Sequence, residues 1–153
     1  MLLDETIRAL NIKEDGIYLD ATAGGGGHSF AIASGLSTGR LIALDQDPDA
    51  VREASLRLQG LPAKVIRANF IRMAQVLSEE GVQAVDGILM DIGVSSHQLD
   101  TPERGFSYHT DAPLDMRMSR KGETAAELVN TLDEQKLAEI FFSFGEEKYS
   151  RSI

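Results

Sequence analysis

The chain has 153 residues, 42% of them hydrophobic and 25% charged, which suits one folded domain and excludes compositional disorder. Its formal net charge of −9 argues against holding nucleic acid by general electrostatics. There is no cysteine, so disulfides, thiol chemistry and thiolate metal sites are excluded, which fits a reducing cytoplasm. The first residues lack the basic-then-apolar pattern of a signal peptide. No apolar run approaches the ~20 residues of a membrane span.

Leu3, Ile7 and Leu10 share one face at helical spacing and predict a short helix over 4–10. Asn11 and Asp15-Gly16 mark a turn. The apolar run Ile17-Tyr18-Leu19 then leads into Asp20, the four glycines Gly24 to Gly27, and a helical stretch from His28. A strand that breaks into glycines and restarts as a helix makes a ligand cradle. Glycine admits close approach and positive φ, and the helix start offers free N–H groups. On this reading a Gly26→Val side chain would fill ligand space and leave the chain folded.

The second strand, Leu41 to Leu44, ends at Asp45. That acid follows the glycines by about the 20 residues at which a nucleotide-binding βαβ unit sets a carboxylate on ribose hydroxyls. The dinucleotide fingerprint G-x-G-x-x-G is not met, because Ser29 or Phe30 stands where its third glycine belongs. D-x-x-x-G-x-G is met by Asp20, Gly24 and Gly26, a pattern of S-adenosylmethionine (SAM) methyltransferases. An acid beside the loop suits a sulfonium ligand and would repel a pyrophosphate.

Asp47 reads as a helix N-cap with Pro48 at the first position, and Ala50, Val51, Ala54 and Leu58 face inward. A third strand over 63–67 ends near Phe70, and a helix over 71–80 turns Ile71, Met73, Ala74 and Leu77 inward. A fourth strand over 85–90 ends at Asp91. Strands alternating with helices predict a parallel sheet whose ligand lies beyond the carboxyl ends, near Asp20, Asp45, Phe70 and Asp91. Residues 92–118 read as a long functional loop. Thr124 with Glu127, and Thr131 with Glu134, are capping-box patterns opening two helices, the second burying Leu137, Ile140, Phe141 and Phe144. Arg104, Arg117, Arg120 and Lys121 form a local basic patch or, on the simpler reading, solvated surface charge.

Asp20-x-Thr22-x-Gly24-Gly25-Gly26-Gly27-His28-Ser29 and Asp45-x-Asp47-Pro48 carry a family resemblance. It continues in Asp86-Gly87-Ile88-Leu89-x-Asp91-x-Gly93-Val94-Ser95-Ser96-x-Gln98-Leu99, Arg104-Gly105-Phe106-Ser107 and Pro113-Leu114-Asp115-Met116-Arg117-Met118. Together these resemble the RsmH (MraW) family of bacterial SAM-dependent methyltransferases, which modify the N4 amino group of a cytidine in small-subunit ribosomal RNA. The resemblance implies a Rossmann-like α/β class I methyltransferase sheet, parallel in the order 3-2-1-4, with four strands visible of seven. It implies SAM contacts at Gly26, Gly27 and His28, Asp45 on the ribose, Phe70 beside the adenine, and Asp91 and Gln98 at the ligand's other edge; no metal is implied.

Freeing an exocyclic amine for methylation needs acceptors near its hydrogens, and Asp91, Ser95 and Ser96 are the candidates. The resemblance divides the chain into a partial SAM-binding domain, 1–115, and the start of a helical insert, 116–153. His97 stands where the family usually has proline, and its members are much longer, so the chain reads as an N-terminal part of such a cytoplasmic enzyme. An open edge at the fourth strand, with Ile88 and Met90 exposed, would leave it inactive alone on ribosomal RNA and prone to self-association or dependent on a partner. The competing readings are a non-catalytic SAM-binding module and a nucleotide-linked oxidoreductase.

Overall fold

The computed structural model describes residues 2–153. They form two compact units, one running to Gly93 and one from Val94 to Ile153, whereas the sequence suggested a division after residue 115.

The first unit alternates helices and strands: α1 (Leu3–Leu10), β1 (Ile17–Asp20), α2 (Gly27–Ser34), β2 (Arg40–Asp45), α3 (Pro48–Arg57), β3 (Ala63–Arg67), α4 (Met73–Glu79) and β4 (Gly87–Leu89). The sheet is parallel, as the alternating pattern predicts, with the order β3-β2-β1-β4 that the resemblance implies. In register, Ile17 faces Arg40, and Tyr18 faces both Leu41 and Gly87. Successive side chains of a strand point to opposite faces, so the sheet builds two cores. Tyr18, Leu41, Ala43 and Leu89 pack with Ile32 and Ala33 of α2, Ala54 of α3 and Leu58 just past α3. Leu19, Ile42 and Leu44 pack on the other side with Ala68, Val76 and Val82. Each such large apolar side chain contributes roughly 1.5–3 kcal/mol by leaving water.

A clasp aligns the starts of β1 and β2. The N–H groups of Ser37, Thr38 and Gly39 all donate to the Glu14 carbonyl, at 2.8, 3.2 and 2.9 Å. A Cβ on Gly39 would lie 2.2 Å from the Gly16 carbonyl oxygen, so only glycine fits.

The helix after β3 starts later than its apolar pattern suggests. Phe70–Arg72 is a 3-10 turn, opened by Asn69, whose side-chain oxygen accepts from the Ile71 N–H at 3.0 Å. This tighter turn changes the angular step between residues. Ile71 consequently points outward, 82% exposed, Ala74 is exposed too, and Val76 takes the core position. β4 forms one edge of the sheet. Its Ile88 sits beside Leu19 and is 46% exposed, and Met90 just beyond is 36% exposed.

The second unit holds α5 (Ser96–Asp100), α6 (Ala125–Thr131) and α7 (Glu134–Gly145), with 3-10 turns at Pro102–Arg104 and Ser150–Ser152. The stretch read as one long loop thus carries a helix of its own. Thr124 and Glu127 make the expected capping box on α6. The box expected at Thr131 and Glu134 does not form. Thr131 closes α6, donating its hydroxyl to the Glu127 carbonyl at 2.8 Å, and Asp133 caps α7 by accepting from the Lys136 N–H at 2.9 Å. Nor does α7 bury the expected stripe: Leu137 and Phe141 are partly covered, while Ile140 is exposed and Phe144 is 84% exposed.

The connection from residue 101 to 124 is built on two arginines. Arg104 is buried, and its guanidinium donates to the Arg117 and Met118 carbonyls, each at 3.1 Å, and lies 5.9 Å from the Phe106 ring centre. Arg117 forks onto both oxygens of Asp115 at 3.1 Å and donates to the Gly122 carbonyl at 2.9 Å. Neither serves in a free basic patch. Gly105 has φ +71°, and a Cβ there would lie 2.5 Å from the Pro113 carbonyl oxygen.

Candidate cofactor site

The glycine loop leaves β1 still tied to both neighbouring strands. The Ala21 N–H donates to the Leu89 carbonyl of β4 at 2.9 Å, and the Ala23 N–H to the Leu44 carbonyl of β2 at 2.8 Å. The chain then turns through left-handed conformations at Gly24 (φ +52°) and Gly26 (φ +77°), where a Cβ would be strained. Gly26 is the N-cap of α2. No side chain caps this helix, and its first turn holds no acid. Its first N–H groups have no intrahelical partner and carry the positive end of the helix dipole.

Two carboxylates fix the stem of the loop. Asp45 Oδ2 accepts from the Gly24 N–H at 2.8 Å, and its Oδ1 from the Asp47 N–H at 2.9 Å. Asp47 in turn caps α3, accepting from the Asp49 N–H at 3.0 Å. Asp20 lies under the loop, 1% exposed, accepting from Ser29 Oγ at 2.6 Å and the Thr22 N–H at 3.1 Å. Burial pushes the Asp20 carboxyl above the usual carboxylate range, against the opposing pull of its hydrogen bonds from Ser29 and Thr22.

The glycines divide into two kinds. A Cβ on Gly26 would sit 3.1 Å from Ala54 Cα and 3.3 Å from its Cβ, so helix α3 fills that space and not a ligand. This overturns the expectation that Gly26 guards ligand space. A Cβ on Gly24 meets nothing within 4 Å; on Gly25 it meets only Glu53 Cγ at 3.8 Å, and on Gly27 only Arg57 Nη1 at 3.7 Å. The open side of the cradle lies along these three.

His28 is the second residue of α2, and its Nε2 is buried without a hydrogen-bond partner. Phe70, past the end of β3, is partly buried and packs on the core that holds Leu44 and Val76. Asp91 is exposed at the end of β4, and its N–H donates to Thr22 Oγ1 at 2.7 Å. Gly26, Gly27, His28, Asp45, Phe70 and Asp91 all belong to the first unit. Ser95, Ser96 and Gln98 belong to the second. There Ser95 and Gln98 form a capping box: Gln98 Oε1 accepts from the Ser95 N–H at 3.0 Å, and Ser95 Oγ from the Gln98 N–H at 3.2 Å. Gln98 is buried in this role and Ser96 is exposed.

Thr22 and Ser29 stand in the resemblance motif but were given no role by the sequence reading, although their hydroxyls tie the loop to β4 and α2 to Asp20. The available signal was a polar hydroxyl on each side of the glycine run, two and nine residues after Asp20.

The profile of the MraW methylase family matches residues 1–153. The chain belongs to the MraW methylase family. It is 52% identical to the ribosomal RNA small subunit methyltransferase H of Lachnospira eligens, over all of this chain and 50% of that protein. It is 51% identical to the protein of the same name from Clostridium botulinum, again over all of this chain and 50% of the relative. This MraW-family chain thus spans about half the length of the curated relatives it matches. A solved SAM-dependent methyltransferase from Agrobacterium tumefaciens is similar at 15% identity and a TM-score of 0.46, covering 56% of this chain and 28% of that one.

Proposed function

We propose that the first unit is the SAM-binding part of a methyltransferase acting on the N4 amino group of a cytidine in small-subunit ribosomal RNA. One observation carries the reading: a glycine-started helix with no side-chain cap opens between two strands that end in carboxylates. Family membership and the names of the relatives support the substrate class.

The residues present fit SAM. The first N–H groups of α2 and the orphaned His28 Nε2 suit the polar aminoacyl end of the ligand. Each Asp45 oxygen accepts one hydrogen bond from the protein, which leaves a lone pair on each for a ribose diol. Phe70 offers a face for adenine. SAM supplies a methyl group made electrophilic by its sulfonium. Asp91, exposed at the end of β4, would accept a hydrogen bond from the target amine. An oxidoreductase reading is weaker, because Ser29, where a third glycine would stand, is committed to Asp20.

On this reading the protein works in the cytoplasm with the small ribosomal subunit. No helix among the described residues is long and apolar enough to cross a membrane. The open edge of β4, with Ile88 exposed, supports self-association or a partner.

Calorimetric titration with SAM, S-adenosylhomocysteine and NAD tests the cofactor. The two SAM-type ligands are expected to bind and NAD to fail; preferential NAD binding would sink the reading. Sedimentation and tritium transfer to unmodified small subunits test the rest, with association and no transfer expected from this chain alone.

A further inference from the structure

β1 and β4 separate where the glycine loop begins, and one side chain bridges the gap. The main-chain ladder between them reaches its last rung at the Ala21 N–H, which donates to the Leu89 carbonyl at 2.9 Å. Alternate residues of a strand face the same neighbour, so the next β4 amide to face β1 is that of Asp91. It donates to Thr22 Oγ1 at 2.7 Å, the hydroxyl standing in for a β1 carbonyl. Thr22 donates its own N–H to Asp20 Oδ1 at 3.1 Å, and Asp20 Oδ2 takes the Ser29 hydroxyl at 2.6 Å. A continuous run of hydrogen bonds therefore joins the end of β4, the glycine loop and α2.

We propose that Thr22 is a positioning residue: its hydroxyl fixes Asp91 against the glycine loop, so that this carboxylate keeps one place relative to the bound cofactor. The inference rests on reading Asp91 as a neighbour of the cofactor. Asp91 follows a three-residue edge strand and is exposed, so its backbone would fray without an anchor beyond the ladder. The bond needs an acceptor on a short side chain, which threonine and serine have and valine lacks.

Thr22→Val keeps the shape and removes the acceptor, whereas Thr22→Ser keeps the acceptor. Amide hydrogen exchange at Asp91 and calorimetric affinity for SAM are measured in the parent and both variants, and in Asp91→Ala with and without Thr22→Val. In Thr22→Val, exchange at Asp91 is expected to speed up and SAM affinity to fall about tenfold, the scale of one lost hydrogen bond. Thr22→Ser is expected to restore both. In the Asp91→Ala background, adding Thr22→Val should change SAM affinity no further. Faster exchange with unchanged affinity would overturn the proposal, making the bond a strand-end fastening alone. A further loss in the Asp91→Ala background would also overturn it, since Thr22 would then act through the glycine loop. A parent chain that binds no SAM would reject the cofactor reading, and this inference with it. That outcome is distinct, because the parent titration alone reveals it.

Discussion

The loop after β1 and the connection from residue 101 to 124 are both held by charged side chains, with opposite signs. In the first, Asp20 and Asp45 accept from backbone N–H groups of Thr22, Gly24 and Asp47. In the second, Arg104 and Arg117 donate to the carbonyls of Arg117, Met118 and Gly122. The arginines turn these donors inward, onto the segment's own carbonyls. The carboxylates fasten only the stem of the glycine loop and leave the start of α2 open. Counting charges would have marked the arginine-rich segment as the binding surface. What marks a binding loop here is the set of polar groups left over once the loop is held.

The largest effect should come from the arginine brace. Arg104→Met removes buried donors from two carbonyls and should destabilise the second unit by about 3 kcal/mol, the scale for losing charged hydrogen bonds in a buried site. Denaturant unfolding followed at residues 101–124 measures it. A loss below about 1 kcal/mol would mean that the segment is held by something else, and the contrast between the loops would fail.

A smaller effect separates the glycines within the cradle. Gly26→Ala should cost about 2 kcal/mol, from its left-handed backbone and the approach of Ala54. Gly25→Ala should change stability by no more than about 0.5 kcal/mol and yet weaken SAM binding. Thermal melts and calorimetry on the pair settle the division. Equal stability losses would erase it.

The smallest effect is on pH dependence, where the two loops should differ in sign. The Asp20 carboxyl is raised by burial, so its contribution to folding is fully present below the ordinary carboxylate value of about 3.9 and is lost as pH rises through its raised folded value. Asp115 is held below the usual range by hydrogen bonds from Arg117, so its contribution is present above about 3.9 and is lost as pH falls through its depressed folded value. Mild acidification from neutrality should therefore favour the first unit through Asp20 and leave the Asp115–Arg117 pair intact. Site-resolved hydrogen exchange between neutrality and pH ~4 reads this, and Asp20→Asn should abolish the first change. A first unit that loses protection at Thr22 and Gly24 over that range would contradict the sign.

The strands and the glycine loop were legible because their signals are local: apolar runs, a glycine run, and acids at strand ends; the strand order followed from the family resemblance. The misses came from competition or distance. Thr131 offers a cap, but Asp133 lies nearer the start of α7 and takes the role. Asn69 opens a 3-10 turn that rotates Ile71 outward, which a helical periodicity carried through from residue 71 does not register. Gly26 looks like its glycine neighbours until α3 folds over it. Thr22 pairs with an amide 69 residues away, a distance that no local pattern spans.

The clasp of Ser37, Thr38 and Gly39 on the Glu14 carbonyl bears on how the chain avoids misfolding. It lies immediately before Ile17 and Arg40, the first facing pair of β1 and β2. A slip of one residue in that pairing would send Leu41 and Ala43 to the opposite face of the sheet, together with every other side chain of the strand. Parallel strands are set by crossovers and not by tight turns, so they lack the usual device for choosing a register. Here three amides converging on one oxygen, at a position where only glycine fits, supply that choice.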